Sequence, residues 1–149
     1  MLLTDGADAA VFDRLGKAAK KAKAIVEVVA PKIAGAVLSN GELVPAKQKI
    51  DGGPSVLFDA VVVLASAEGA TILAQDAAAK DFVNDAFAHC KFIGYSAEAQ
   101  ALFAKADLAE HLDEGCMVLA KGKDATAFID MLRQLRFWDR ELKVSRRPE

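Results

Sequence analysis

Residues 58–65 read FDAVVVLA, a nearly continuous apolar run. Such a run is typical of a strand that is buried on both faces, as the strands of parallel sheets are. On both sides of it, apolar runs alternate with segments of helical periodicity, a pattern that favours βαβ units. The sequence therefore predicts an α/β fold built on a mostly parallel sheet, with residues 58–65 as a central strand.

Shorter patterns predict the remaining strands and turns. The Gly- and Pro-rich stretch 31–55 predicts short antiparallel strands with a hairpin turn at Asn40–Gly41. This hairpin is a small antiparallel excursion from the main sheet. Further strands are predicted at residues 2–4, 24–30, 91–95 and 116–120.

Helical periodicity predicts the elements between these strands. Asp8 and Asp76 are of a residue type that caps helices, and apolar faces follow both of them. The face after Asp8 consists of Val11, Phe12, Leu15, Ala18, Ala19 and Ala22, and the face after Asp76 of Phe82, Val83, Ala86 and Phe87. Two more helices are predicted at 97–105 and 124–142, the second with Phe128, Ile129, Leu132 and Leu135 facing inward.

The composition is that of an ordinary globular chain. Its 149 residues are enough for one domain, residues 1–149, with a sizeable core. The net charge of −2 does not suggest a nucleic-acid partner, which usually goes with a basic domain or stripe. We interpret the basic clusters Lys17–Lys23 and Arg146–Arg147 as a solvated helix face and a tail.

Targeting signals are not evident. No apolar run approaches the ~18 residues of a membrane span, and residues 1–10 lack the pattern of a signal peptide. We therefore expect a cytoplasmic protein with no membrane partner. The first predicted strand is short for a parallel sheet, so we also expect the chain to be a fragment that begins part-way along this strand.

Residues 91–99 read KFIGYSAEA, in which a strand turns at once into a helix. Many α/β enzymes hold their nucleophile at such a turn, called the elbow. Ser96, Ala97 and Glu98 lie there, at the carboxyl end of the strand, where open α/β sheets bind ligands. Glu98 replaces the second glycine of G-x-S-x-G, and no histidine follows a later strand end to act as a base. We predict a degenerate elbow with no catalytic residue, in which Ser96 is a helix N-cap.

The other reactive side chains are less well placed. Cys90, Cys116, His89 and His111 are all predicted at the amino ends of strands, and their spacing fits neither a disulfide framework nor a metal site. Free thiols are typical of a reducing compartment. Polar residues at the carboxyl ends, besides those of the elbow, are Thr4, Asp5, Ser66 and Glu68.

Several motifs, taken in order, resemble one family. They are GELVPA at 41–46, GPS at 53–55, DAVVV at 59–63 and RFWDR at 136–140. In this order they resemble the C-terminal domain of the large-subunit haem catalases, over nearly the whole chain. The resemblance implies a three-layer, doubly wound, flavodoxin-like fold related to class I glutamine amidotransferases and ThiJ/PfpI proteins.

The same resemblance implies where catalytic groups would lie. Active ThiJ/PfpI members carry a cysteine at the elbow and a glutamate after the first strand. These positions fall at about Ala97 and near Val11, so neither residue type is present. Large catalases hold haem in a separate β-barrel core with a tyrosine ligand. That core is absent here, and we do not expect Tyr95 to bind haem or this chain to hold a cofactor.

Two functions from different classes follow. The first is a non-catalytic accessory domain of a catalase, which stabilises the subunit and tetramer or shapes the path of peroxide to the core. Its partners would be the catalase core, neighbouring subunits and, for the isolated domain, unfolded client proteins. The alternative is a ThiJ/PfpI-type enzyme acting on small aldehydes, amides or peptides through Ser96 and Glu98. A positive φ at Ser96 or Ala97 would favour the enzyme.

Overall fold

The computed structural model describes residues 1–145, so the predicted Arg146–Arg147 tail lies outside the described residues. The strands are β1 (Leu2–Leu3), β2 (Val29–Ala30), β3 (Ala36–Val37), β4 (Leu43–Val44), β5 (Gln48–Lys49), β6 (Val61–Leu64), β7 (Ile93–Tyr95) and β8 (Cys116–Val118). The α-helices are α1 (Ala9–Lys21), α2 (Ala67–Gln75), α3 (Ala77–Ala88), α4 (Gln100–Lys105), α5 (Asp124–Met131) and α6 (Glu141–Val144). Short 3₁₀ turns span Ile50–Gly52, Ser55–Leu57, Ala97–Ala99, Leu132–Gln134 and Trp138–Arg140.

The main sheet has six strands in the order β5-β2-β1-β6-β7-β8, and every neighbouring pair is parallel. All four residues of β6 are buried in the middle of this sheet. The predicted central strand and the mostly parallel sheet are therefore confirmed, although each strand is shorter than its apolar run.

Two hydrophobic clusters cover the two faces of the sheet. Side chains alternate along a strand, so Val61 and Val63 face α2, α3 and α4, whereas Val62 and Leu64 face α1 and α5. Phe82, Val83, Ala86 and Phe87 are buried in the first cluster, as predicted. This arrangement confirms the three-layer fold.

Both predicted N-caps are confirmed. An Asp8 carboxylate oxygen accepts a hydrogen bond from Val11 N at 3.0 Å, and Asp76 accepts one from Ala78 N at 2.8 Å. Each carboxylate thereby satisfies an amide that has no partner within its helix.

The hairpin prediction is confirmed for β3 and β4, which pair antiparallel around Asn40–Gly41. Gly41 has a φ of +86°, which glycine adopts without strain. The rest of the 31–55 stretch differs from the prediction, because β5 pairs in parallel with β2 at the edge of the main sheet.

The strand predicted at 24–30 is wrong in its first five residues. Lys23, two residues after the end of α1, has a φ of +60°, and the amide of Ala24 still bonds back to the carbonyl of Ala19. The chain then runs along the amino edge of the sheet until β2. Since β1 is only two residues long, it offers β2 little backbone to pair with.

The helix predicted at 124–142 is also wrong beyond Met131. A 3₁₀ turn follows α5 and ends at Leu135, which has a φ of +64° and is exposed instead of facing inward. The chain leaves the helical path because Phe137 N donates to the carbonyl of Cys90 at 2.7 Å and Arg140 is buried. Phe128 is buried as predicted, and Ile129 and Leu132 are partly buried.

Candidate functional site

The carboxyl ends of β1, β6 and β7 meet at one edge of the sheet, as parallel pairing requires. Thr4 N donates to the carbonyl of Leu64, and Ser96 N donates to that of Val63 at 2.9 Å. The turns after these strands carry Thr4, Ser66 and Ser96. This edge is where open α/β sheets bind ligands.

Ser96 has a relaxed backbone, with φ −72° and ψ 149°. It is buried, and its Oγ accepts a hydrogen bond from Ala65 N and donates one to Ala65 O, each at 3.0 Å. Neither Ser96 nor Ala97 is among the residues between 1 and 145 that have a positive φ. The hydroxyl thus bonds to the turn after β6 and not to a catalytic base.

The prediction that the Ser96 side chain caps the following helix is wrong. Ser96 occupies the position before the Ala97–Ala99 turn, but its hydroxyl makes no capping hydrogen bond. The two bonds to Ala65 take that hydroxyl instead. Ala97 and Glu98 are exposed, and Glu98 lies in the first turn after Ser96.

Ser66 and Thr4 join the ends of β6 and β1. Ser66 Oγ donates to the carbonyl of Asp5 at 2.7 Å and accepts from Gly69 N at 3.0 Å, so Ser66 is the N-cap of α2. Thr4 Oγ1 accepts from Ser66 N at 3.2 Å. A Cβ at residue 69 would lie 2.0 Å from Thr4 Oγ1, so this close approach requires glycine.

Asp5 holds the β3–β4 hairpin against this edge. One of its carboxylate oxygens accepts from Lys32 Nζ at 2.8 Å, and the other accepts from Val37 N at 2.9 Å. The hydrogen bond from Lys32 is the main reason why the pKa of Asp5 lies below its ordinary value. A shallow cavity of about 230 Å³ lies beside them, and it is lined by Thr4, Asp5, Lys32, Glu68 and Ile72 but not by the elbow residues.

The other position implied by the family resemblance, Val11, points into the core. Val11 is buried in α1 and belongs to the cluster that faces α5. The structure therefore brings no carboxylate from this position to the elbow.

The cysteines and histidines lie at the opposite, amino edge. Cys90 is buried with a φ of +57°, and burial raises the pKa of its thiol. Burial also raises the pKa of Cys116 to about 11, so both sulfurs are protonated at neutral pH. Within residues 1–145, no three His, Cys, Asp or Glu side chains are grouped to hold a metal ion.

Sequence reasoning missed a buried ion pair at this amino edge. Arg140 Nε and Nη2 donate to the carboxylate of Asp113 at 2.8 and 2.7 Å, and Arg140 Nη1 donates to the carbonyl of Lys91 at 2.7 Å. The guanidinium also lies 4.2 Å from the centre of the Phe87 ring. The RFWDR motif contains this arginine, but helical spacing alone does not indicate its burial.

Tyr95 does not fit a haem ligand. Its ring is buried in β7 and packs edge-to-face on Phe103, with 4.9 Å between ring centres. Burial raises the pKa of its phenol. Tyr95 is the only tyrosine of the chain.

A larger groove, of about 470 Å³, opens at the amino edge between α1, α5 and the segments that precede β2 and β6. Its lining is mainly apolar and includes Met1, Ile25, Leu57, Phe58 and Leu132.

In the part of the chain that the structure describes, no helix is long and apolar enough to cross a membrane.

Comparison with known proteins places these features in a family. The family described as the C-terminal domain found in long catalases matches residues 1–141. "Catalase C" of Rhizobium meliloti is 51% identical over 144 residues, which cover 97% of this chain and 20% of that protein. "Catalase-B" of Dictyostelium discoideum is 35% identical, over 87% of this chain and 19% of that protein. The chain therefore spans about a fifth of the length of these relatives.

Solved structures share the fold at low identity. DJ-1 of Schizosaccharomyces pombe has a TM-score of 0.70 at 15% identity, covering 99% of this chain and 98% of its own. A ThiJ/PfpI domain protein from Brachyspira murdochii has a TM-score of 0.73 at 12% identity, covering 90% and 92%. These likenesses establish the flavodoxin-like fold and carry no functional conclusion.

Proposed function

Because the chain belongs to the family of C-terminal domains found in long catalases, we propose that it is a non-catalytic accessory domain of a haem catalase. In this proposal the parent protein decomposes hydrogen peroxide in a core that these 149 residues do not include. The 51% identity to a catalase over nearly the whole chain supports this assignment.

The position of Ser96 Oγ is the main support for the proposal that this domain is not catalytic. This is the only hydroxyl among the elbow residues Ser96, Ala97 and Glu98, and both of its hydrogen bonds go to the backbone of Ala65. A serine nucleophile needs a base to remove its proton. Here the Ser96 hydroxyl donates its hydrogen bond to the carbonyl oxygen of Ala65. A carbonyl oxygen is too weak a base to remove the hydroxyl proton.

The positions of the other catalytic candidates agree with this conclusion. His89 and His111, the two histidines of the chain, precede β7 and β8 and so lie at the amino edge, away from Ser96. Glu98 is exposed, and its carboxylate lines neither the cavity at the carboxyl edge nor the groove at the amino edge. These observations argue against a ThiJ/PfpI-type enzyme that acts through Ser96 and Glu98.

We further propose that the chain itself holds no haem. Tyr95 is buried within the sheet, and this burial supports the proposal because haem iron would need access to its phenolic oxygen. The haem of the parent protein would be bound by the core, and the present domain would act on the stability of the subunit and of its tetramer.

The partners in this proposal are the catalase core and the neighbouring subunits in the cytoplasm. Ile25, Val26 and Leu57 are exposed and line one groove, which supports a docking role since contiguous apolar surface often marks an interaction site. In isolation the same surface would bind partly unfolded client proteins. We propose no binding to nucleic acid or membrane, and treat residues 1–149 as one domain.

A first experiment tests the purified chain for catalysis. We expect no Soret band after incubation with haem and no oxygen evolution from hydrogen peroxide. Catalase C of Rhizobium meliloti serves as the positive control in both assays. Oxygen evolution by the 149-residue chain, abolished by a change at Tyr95 or Ser96, would overturn the non-catalytic assignment.

A second experiment tests the accessory role. The region of Rhizobium meliloti catalase C that matches this chain is deleted, or is replaced by this chain. We expect the deletion to speed thermal inactivation and subunit dissociation, and the replacement to restore the original rates. Equal inactivation and dissociation rates for all three proteins would contradict a stabilising role.

A further inference from the structure

The groove at the amino edge is bounded by exposed apolar side chains. Its apolar lining comes from four segments of the chain: α1, α5 with the turn that follows it, and the segments that precede β2 and β6. The lining includes Ile25, Val26, Leu57, Phe58, Ile129 and Leu132. Ile25 is 90% exposed and Leu57 is 58% exposed, so these side chains gain little from the fold of the domain itself.

A small-molecule ligand is a poor match for this groove. Open α/β sheets bind such ligands beyond the carboxyl ends of their strands, whereas this groove lies at the amino ends. Among its charged residues, Glu27 is already paired with Lys47 at 2.7 Å. A macromolecular surface that brings apolar side chains fits the groove better.

The position of Met1 indicates which macromolecule. Met1 lines the groove, and its carbonyl accepts a hydrogen bond from Val29 N at 2.8 Å. The matching relatives are about five times as long as this chain, and the matching family is a C-terminal domain. In that family the rest of the polypeptide precedes the domain, whose match starts at residue 1, beside the groove.

Charge adds a second requirement for the partner. Lys20, Lys21 and Lys23 are exposed where α1 ends, and Lys23 also lines the groove. A partner that covers the groove would gain from acidic groups placed opposite these lysines.

We infer that this groove is the docking surface for the remainder of the catalase polypeptide. The remainder inserts apolar side chains between α1 and α5 and sets acidic groups against the lysines at the end of α1. This inference rests on the proposed accessory function and names the face through which it acts.

The test measures binding in trans between two separate polypeptides. The probe is the remainder of Rhizobium meliloti catalase C, without the region that matches this chain. The test variant is Ile25→Asp with Leu57→Asp. The control variant is Ile33→Asp with Ile72→Asp, at the carboxyl edge, where the two isoleucines are 65% and 56% exposed. Both variants add the same charge at exposed positions, so both are expected to fold.

We expect the groove variant to bind the probe at least about tenfold more weakly than the unchanged chain. The control variant is expected to bind within about twofold of the unchanged chain. Sedimentation or calorimetry provides the dissociation constants, and circular dichroism verifies the fold of the probe and of each variant.

Two results would overturn the inference in different ways. If the control variant loses binding while the groove variant keeps it, the docking face is the carboxyl edge and the accessory function stands. If the unchanged chain does not bind the probe, and replacement in the full-length relative also fails to slow thermal inactivation, the accessory function fails together with the docking face.

Discussion

Arg140 and Asp113 form a buried two-pronged ion pair, with nitrogen–oxygen distances of 2.8 and 2.7 Å. The arginine side chain is fully buried and the aspartate nearly so. This pair holds the final helical segment of the described chain beneath the amino edge of the sheet. Breaking a buried pair leaves an uncompensated charge, which is costly even where the intact pair adds little.

The first prediction concerns this pair. Arg140→Lys keeps the positive charge but loses the planar fork that contacts both carboxylate oxygens. We expect it to lower the free energy of unfolding by about 2–4 kcal/mol, as measured by urea denaturation. Arg133→Lys is the matched control because Arg133 is exposed and lies 3.8 Å from Asp130; an equal loss in both variants would contradict the prediction.

The second prediction concerns pH. Burial raises the pKa of Asp113, but the hydrogen bonds and charge of Arg140 outweigh burial, so this pKa lies below its ordinary value of 3.8. A lowered carboxyl pKa contributes stability above the unfolded pKa, and that contribution is lost as the pH falls through the folded pKa. We expect the free energy of unfolding to fall below about pH 4.

Asp5 and Asp124 also have lowered pKa values and contribute to the same acid loss. The variant Asp113→Asn isolates the contribution of the buried pair. Its unfolding free energy, measured by denaturant titration across this acid range, should depend less steeply on pH than that of the unchanged chain. An identical pH slope in the two proteins would show that Asp113 does not titrate as described.

The third prediction concerns the elbow. Ser96→Ala removes both hydrogen bonds to Ala65 and leaves two buried backbone groups without these partners. We expect a loss of about 1–3 kcal/mol in the free energy of unfolding, while Ser145→Ala, at an exposed position, changes it little. If Ser96→Ala instead abolishes hydrolysis of an amide or ester substrate by a chain of unchanged stability, the elbow is catalytic.

The fourth prediction uses two glycines within helices. Gly69→Ala places a Cβ 2.0 Å from Thr4 Oγ1, so β1 and α2 must separate. Gly16→Ala in α1 meets nothing within 4 Å and should stabilise the helix by about 0.5–1 kcal/mol. Thermal unfolding should therefore show a lower Tm for the first variant and a higher Tm for the second; a rise in both would mean that the Thr4 contact is easily relieved.

The fifth prediction concerns salt. Because Lys23 lines the groove and Lys20 and Lys21 are exposed beside it at the end of α1, the affinity of the chain for the catalase remainder should fall as the salt concentration rises. Changing all three to glutamine should weaken binding at low salt and remove most of this dependence. The dissociation constant at about 0.05 and about 0.5 M salt, spanning a threefold change in screening length, provides the measurement. A salt-independent affinity would contradict the role of these lysines.

Local patterns predicted the parts of the fold that local physics determines. The alternating side chains of Val61–Leu64 face two different clusters, and Asp8 and Asp76 cap the helices that follow them. The degenerate elbow was also predicted from the local sequence. Ala97 stands where the resemblance implies a cysteine, and Glu98 stands in place of the second glycine of G-x-S-x-G. Whether this elbow is inactive remains a prediction.

The errors arose where distant residues override a local pattern. Helical spacing favoured an inward Leu135, but Arg140 pairs with Asp113, 27 residues earlier, and this draws the chain out of the helix. Ser96 has the sequence of an N-cap, but its hydroxyl bonds to Ala65, 31 residues away. No short window of sequence contains both partners of either contact.

The buried pair also has a consequence for synthesis on the ribosome. Asp113 leaves the ribosome 27 residues before Arg140, so the nascent sheet carries an unpaired carboxylate for that interval. A protein made from its amino end cannot close this contact until the last helical segment emerges. Folding intermediates that lack this segment should be the species most exposed to proteases and chaperones in the cell.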